Sequence, residues 1–259
     1  MLKSDMGRII TVISGKGGVG KTTTAINLGA ALNKLKHEVI VMDLNLNTPN
    51  IGVHLGAPIV PVTLNHVLRG KADIEEAIYE HSSGTKIIPS SLSVKEITKF
   101  NTRKIPFIVR RLKDLADYII LDSAAGFSEE AIATIEAGEE IVVVTNPELP
   151  AVTDALKAVK IARNLGKEVR GVVITRHRGA KYEMPLSSIK SMLESPIIGV
   201  IPEDDAVKKA LTKRDAVIHT SPKSKVSKKY IEIAHKINGS YSEREGVIAR
   251  LFGNLSRSN

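Results

Sequence analysis

Apolar positions in this chain fall into short unbroken runs separated by amphipathic stretches. Arg8–Ile13 (RIITVI), Glu140–Thr145 (EIVVVT), Val169–Thr175 (VRGVVIT) and Ile197–Ile201 (IIGVI) read as strands. Tyr118–Leu121 is another, stopping at Asp122, and Glu38–Met42 stops at Asp43; Lys86–Ile88 is a weaker run. Continuous rather than alternating apolar character fits strands buried on both faces. Lys21–Leu35 carries Ile26, Leu28, Ala31, Leu32 and Leu35 at helical spacing, and Val152–Leu165 is a second helical stretch. This alternation predicts an α/β fold, a doubly wound and mostly parallel sheet with helices on both faces. No internal repeat or long linker interrupts residues 1–238. From Gly239 the character changes to a short, Ser-rich, charged tail (239–259) around one apolar cluster.

Composition narrows the functional classes. With 42% apolar residues the chain has enough material for a core. No run of 18 apolar residues occurs, so no membrane-crossing helix is expected, and residues 1–13, with Lys3, Asp5 and Arg8, lack a secretory apolar region. The absence of cysteine excludes disulfides, zinc thiolates and iron–sulfur ligation. These features favour a cytoplasmic protein. The net charge of +9 is uneven: residues 1–150 hold 16 Lys and Arg against 17 Asp and Glu, and residues 151–259 hold 21 against 11. A basic C-terminal half suits an anionic partner, lipid or nucleic acid, or is simply a solvated basic face. With 3% aromatics and no Trp, base-stacking platforms are not expected.

The sharpest local signal is Gly15-Lys16-Gly17-Gly18-Val19-Gly20-Lys21-Thr22, between a predicted strand and a predicted helix. It matches G-x-x-x-x-G-K-[ST], whose glycines turn backbone N–H groups toward phosphate oxygens while the helix N-terminus faces the same anion. In this arrangement Lys21 reaches the β- and γ-phosphates and the Thr22 hydroxyl serves Mg²⁺, a cation that prefers oxygen ligands. Gly15, Lys16, Gly17, Gly18, Val19, Gly20, Lys21, Thr22 and Thr23 are the candidate nucleotide contacts, with MgATP as the expected ligand.

The extra lysine at Lys16 makes the loop resemble the deviant Walker motif K-G-G-x-G-K-T of the MinD/ParA/Mrp ATPases. The resemblance extends over nearly the whole chain. It implies that Lys16 reaches across an ATP-dependent homodimer to the partner's phosphates, as an arginine finger does; an ordinary contact to its own nucleotide is the alternative. Asp43-Leu44-Asn45 stands where the family has D-x-D. Asp43 is then expected near Mg²⁺ through water. Asn45 replaces the aspartate that positions the attacking water, and an amide orients water but takes no proton. Slow hydrolysis follows as an expectation. Asp122, Walker B by resemblance, is expected at Mg²⁺ through water and, with Lys16 and Asn45, in catalysis; a plain helix-capping Asp is the alternative. Ser123-Ala124-Ala125-Gly126 resembles the D-x-x-A/P-G switch, so Gly126 is expected beside the γ-phosphate. Thr145-Asn146-Pro147-Glu148 and Ile201-Pro202-Glu203-Asp204 resemble the T-N-P-E and I-P-E-D segments. Asn146, Ile201, Pro202, Glu203 and Asp204 are therefore expected around the base, with Thr175 and Arg176 where the family has Asn-Arg. Thr175 cannot make the bidentate contact of an amide. For Asn146 and Arg176, loop capping is the alternative.

The lack of cysteine separates the chain from the iron–sulfur branches of the family. Thr63-Leu64-Asn65-His66-Val67-Leu68-Arg69-Gly70 and Ile74-Glu75-Glu76-Ala77-Ile78 resemble archaeal MinD homologues. Gly246-Val247-Ile248-Ala249-Arg250-Leu251-Phe252-Gly253 resembles a MinD membrane-targeting helix. On a helix over about 243–255, Val247, Ile248, Leu251, Phe252 and Leu255 share one face, with Arg244, Arg250 and Arg257 beside them. The expectation is a slow MinD-like ATPase, peripheral at the inner face of the cell membrane, that positions a cellular complex with an activating protein partner. A ParA-like partition ATPase on non-specific DNA and a hydrolysis-poor scaffold are the alternatives; a frayed or self-docked tail is the bland reading of residues 243–255.

Overall fold

The computed structural model describes residues 7–93 and 101–239. Among these, eight strands form one sheet in the order β3-β4-β2-β5-β1-β6-β7-β8. They are β1 (Arg8–Ile13), β2 (Val39–Leu44), β3 (Tyr79–Glu80), β4 (Lys86–Ile88), β5 (Tyr118–Ser123), β6 (Glu140–Thr145), β7 (Glu168–His177) and β8 (Ile197–Pro202). Every pairing is parallel except β3 with β4. This is the doubly wound sheet that the apolar runs predict. The helices are α1 (Lys21–Lys34), α2 (Ile51–His54), α3 (Leu64–Leu68), α4 (Ile105–Arg111), α5 (Glu129–Ala137), α6 (Leu149–Asn164), α7 (Leu186–Leu193), α8 (Asp205–Thr212), α9 (Val217–Thr220) and α10 (Lys225–Asn238).

Strand parity distributes the core. Val39, Val41, Ile10, Val12, Ile120, Val142 and Val144 face α1, α9 and α10. The intervening Ile40, Met42, Leu44, Ile119 and Leu121 face α3, α4 and α5, and Ile141 and Val143 face α6 and α7. Both faces are covered, which explains the unbroken apolar runs. β2 and β5 run beyond their predicted ends and include Asp43 and Asp122, which pair in register. By parity both carboxylates project toward α1. Each run continues past its acid because the acid is itself buried by specific partners.

α10 closes the α1 face with Val226, Tyr230, Ile233, Ala234 and Ile237. Its end is fixed to the first residues of β1 and β5: Arg8 donates to the Ile237 carbonyl, and the Tyr118 hydroxyl donates to Asn238 Oδ1 at 2.9 Å. The end of α10 therefore lies at the amino ends of these central strands, opposite the loop that follows β1. Residues 240–259, and with them the candidate tail helix, lie outside the described residues. No helix among the described residues is long and apolar enough to cross a membrane.

Candidate functional site

The loop from β1 to α1 passes over the carboxyl ends of β1, β2 and β5, where open α/β sheets bind ligands. Gly18 and Gly20 have φ of 79° and 87°, a left-handed conformation that favours glycine. Between them Val19 is buried and anchors the loop in the core. Gly20 precedes α1 with no side-chain cap, so the helix presents amides and its positive end to an anion.

The charged residues are already assembled. Lys21 Nζ lies 2.6 Å from Asp122 Oδ1, and the Thr22 hydroxyl donates to Asp122 Oδ2 at 2.6 Å. Lys21 and Asp122 are buried, at 7% and 0% side-chain exposure, a position that ionised groups hold only when paired. Among the described residues Asp43 has no lysine partner. Its Oδ1 accepts the Asn45 N–H at 3.1 Å, and its Oδ2 accepts those of Asn50 and Ile51 at 2.8 and 2.9 Å. Full burial and the neighbouring Asp122 carboxylate push the Asp43 pKa up to about 7, against the pull of those amides. Two carboxylates against one lysine leave an excess of negative charge that suits a cation. Among the described residues no cluster of three His, Asp or Glu side chains forms a cage. Such a donor set fits Mg²⁺, which is held by few protein oxygens together with phosphates.

A cleft of about 460 Å³ runs from this loop to α8, between Lys21, Thr22, Asn45, Arg176, Lys208 and Leu211. Gly17, Gly18, Gly20 and Thr23 also line it, and Lys16 does not. The Lys16 side chain is exposed, while its carbonyl accepts from the Ser14 hydroxyl. Gly15 packs against Asp154 of α6. Gly126, at φ 76°, donates its N–H to the Ser14 carbonyl and so lies against the start of the loop.

The residues expected around the base divide into two groups. Arg176 lines the cleft. Thr175 is buried behind the phosphate loop: its hydroxyl lies 2.6 Å from the Val19 carbonyl and 2.9 Å from Asn146 Oδ1. Its place in the fold is that of a support for the loop. Asn146 and Glu203 line a smaller adjacent hollow with Arg176. Ile201 is buried, Pro202 ends β8, and Asp204 caps α8 by accepting the Ala206 N–H. From this cap α8 carries Val207, Lys208 and Leu211 into the cleft wall.

Three features were not anticipated. Lys208 lines the cleft from a helix that the sequence pattern had not singled out. His54 lines it too, with burial pushing its pKa down against the pull of Asp122. Glu130, in the first turn of α5, is 6% exposed and accepts the Leu46 N–H and Asn47 Nδ2, the latter at 2.7 Å. Burial pushes its pKa up and these donors pull it down. In sequence Glu130 reads as an acid complementing a helix dipole, and only the fold brings it to the loop after β2.

The site can be compared with known proteins. The CobQ/CobB/MinD/ParA nucleotide binding domain matches residues 10–217. This chain belongs to that family. An uncharacterized ATP-binding protein of Methanocaldococcus jannaschii is 36% identical over 91% of this chain and 89% of its own length. The septum site-determining protein MinD of Thermotoga maritima is 35% identical over 90% and 89%. The solved structure of MinD from Pyrococcus horikoshii, complexed with Mg-ADP, superposes with a TM-score of 0.86 at 32% identity, covering 90% of this chain and 96% of that one. The cleft over the β1–α1 loop thus lies in a chain of a nucleotide-binding family whose solved relatives include one complexed with Mg-ADP.

Proposed function

We propose that this chain is a MinD-like ATPase switch. It binds MgATP, dimerises around it, hydrolyses it slowly, and as a dimer rests on an anionic membrane to position a cellular complex. The observation that carries the reading is the contrast between the two loop lysines. Lys21 is buried on Asp122 inside the cleft, whereas Lys16 is exposed and outside the cleft wall. A cation so placed is available to a nucleotide held by a second copy. Exposed large apolar side chains lie on segments that follow strand carboxyl ends: Val53 and Ile59 after β2, Leu92 and Phe107 after β4, Leu149 after β6, Leu211 after β8. Of these, Leu211 lines the cleft itself, and an apolar side chain beside the nucleotide suits a face-to-face dimer.

Each residue then has a task. The loop amides and Lys21 hold the phosphates, and exchange of Asp122 for phosphate oxygens at Lys21 keeps that cation paired. Thr22, with Asp43 and Asp122 through water, would hold Mg²⁺, which would supply charge neutralisation on the phosphates. Asn45 orients water without taking its proton. Phosphoryl transfer to water asks mainly for positioning and charge stabilisation, so the reaction to ADP and phosphate proceeds, slowly. That Mg-ADP occupies a related MinD supports the choice of ligand. A protein partner that corrects the water's position would serve as activator.

The membrane step rests on the sequence of residues 239–259, taken as a tail on the 1–238 ATPase domain. Five apolar side chains gain roughly 8–10 kcal/mol on full burial, while ordering about ten residues costs roughly 1–2 kcal/mol each. One tail therefore binds marginally. Two tethered tails raise avidity about 10²–10⁴-fold, so binding follows ATP through dimerisation. The DNA-binding reading draws on one observation, a surface from α8 to α10 that exposes Lys208, Lys209, Lys213, Arg214, Lys225 and Lys228. Co-sedimentation with anionic liposomes separates the two. The expected result is sedimentation of full-length protein with ATP, little with ADP, and none for a chain ending at Gly239. ATP-dependent sedimentation of the truncated chain refutes the tail's role. No sedimentation, with a salt-sensitive shift of non-specific DNA, favours the partition reading.

A further inference from the structure

We infer that Glu130 is the positioning residue that makes the two phosphate-side segments of this site move as one, holding the 45–51 loop from the first turn of α5. The inference rests on the reading of the site as an ATP-driven switch, and adds the coupling within it.

The loop after β2 is held at three places. Asp43 takes the N–H groups of Asn45, Asn50 and Ile51. The Asn45 amide closes on Thr48, donating to its carbonyl at 2.6 Å and accepting from its hydroxyl at 3.0 Å. Both sets join β2, the loop and the start of α2 to one another, and neither ties the loop to α5 or to the segment that follows β5. Glu130 supplies the tie. One carboxylate oxygen accepts the Leu46 N–H and the other accepts Asn47 Nδ2. Burying a carboxylate is costly unless its lone pairs are used, and this one spends both oxygens on the loop. Among the described residues Glu130 has no Lys or Arg within ion-pair distance, so releasing the loop strands no cation. Glu130 is also four residues past Gly126, whose N–H meets the Ser14 carbonyl beside the phosphate loop. The Ser128 hydroxyl caps α5 by accepting the Ala131 N–H, so a shift at Gly126 passes into Glu130 through a capped first turn.

The geometry provides its own test, because both Glu130 oxygens act as acceptors. Asn47→Asp sets two carboxylates against each other and breaks the tie. Adding Glu130→Gln restores it: the new amide nitrogen donates to the carboxylate introduced on the loop, and the remaining oxygen keeps the Leu46 N–H. Asn47 is exposed, so the single variant folds. A double-mutant cycle then reads phosphate release, the Kd for ADP, Tm, and amide exchange across residues 45–51. For Asn47→Asp the expected result is about tenfold slower phosphate release and faster loop exchange, with the ADP Kd within about twofold and Tm lowered by a few degrees, because the buried Glu130 then faces a second carboxylate. Restoration of both in the double variant to within about threefold of the parent supports the coupling. Two variants equally impaired, an unchanged rate and exchange in Asn47→Asp, or loss of ADP affinity in parallel with rate overturns it. If the parent protein releases no phosphate, the ATPase reading fails on that result alone, while the exchange cycle still decides whether Glu130 holds the loop.

Discussion

Replacing Lys21 and Lys16 separately by alanine should produce two different defects. In Lys21→Ala the Asp122 carboxylate, at 0% exposure, loses a partner 2.6 Å away. Removing one partner of a buried pair costs about 3–5 kcal/mol. For a domain of this size that lowers Tm by roughly 6–20 °C. The same change deletes a charge-assisted phosphate contact worth about 1.5–3 kcal/mol per hydrogen bond, so the monomer's ATP Kd rises about 10²-fold. The two losses separate in Lys21→Ala/Asp122→Asn, where no charge is left orphaned: stability returns and ATP affinity does not. Lys16→Ala touches neither the cleft wall nor a buried partner. Its monomer Kd should stay within about threefold, less than one full hydrogen bond, while dimer formation or turnover is lost. Fluorescent-nucleotide titration at protein concentrations below dimerisation measures the first quantity, and sizing with ATP the second. Equal loss of monomer ATP affinity in both single variants would refute the assignment of Lys16 to a partner's nucleotide.

Asn45→Asp should raise phosphate release by restoring a carboxylate, although it forfeits the 2.6 Å bond to the Thr48 carbonyl; an unchanged rate, with Asp122→Asn inactive, would place water activation elsewhere. Thr175→Val should weaken nucleotide binding about fivefold, the worth of one hydrogen bond, because it frees the Val19 carbonyl; equilibrium dialysis with ADP checks this, and an unaltered Kd removes Thr175 as a support. The Tyr230 phenol is buried and donates to or accepts from Thr24, and burial pushes its pKa from 10.0 up to about 12. Because the folded value is the higher one, its contribution is complete below pH 10 and is lost as the pH rises toward 12. Urea unfolding across that window should show roughly 2–3 kcal/mol of lost stability, absent in Tyr230→Phe; an identical alkaline slope in both proteins contradicts it.

Much of this was legible in the sequence, for physical reasons. β1, β4 and β6 have the bounds of their apolar runs because those runs are core on both faces. β2 and β5 were read short, since a charge ends an apolar pattern, and nothing local tells that Asp122 is buried by Lys21 and Thr22 or Asp43 by loop amides. α6 begins at Leu149, ahead of the apolar pattern, because Pro150 is tolerated in a first helical turn. β3, two residues long and antiparallel, is too short for any periodicity. α10 carries Val226, Tyr230, Ile233 and Ile237 at helical spacing and was within reach of the pattern. The glycine loop between β1 and α1 was legible as a loop, since its left-handed glycines and the helix start at Lys21 are local features. Glu130 and Thr175 were not: their partners are 84 and 156 residues away in the chain, so their tasks arise only from the sheet order.

The most direct test of the account is the mass of the protein in solution with ADP and with ATP, measured by light scattering while phosphate release is followed in the same sample. The account predicts a single 28.0 kDa chain with ADP, twice that mass with ATP, and a return to the monomer as phosphate appears. The same mass with both nucleotides, each bound at saturation, would contradict it.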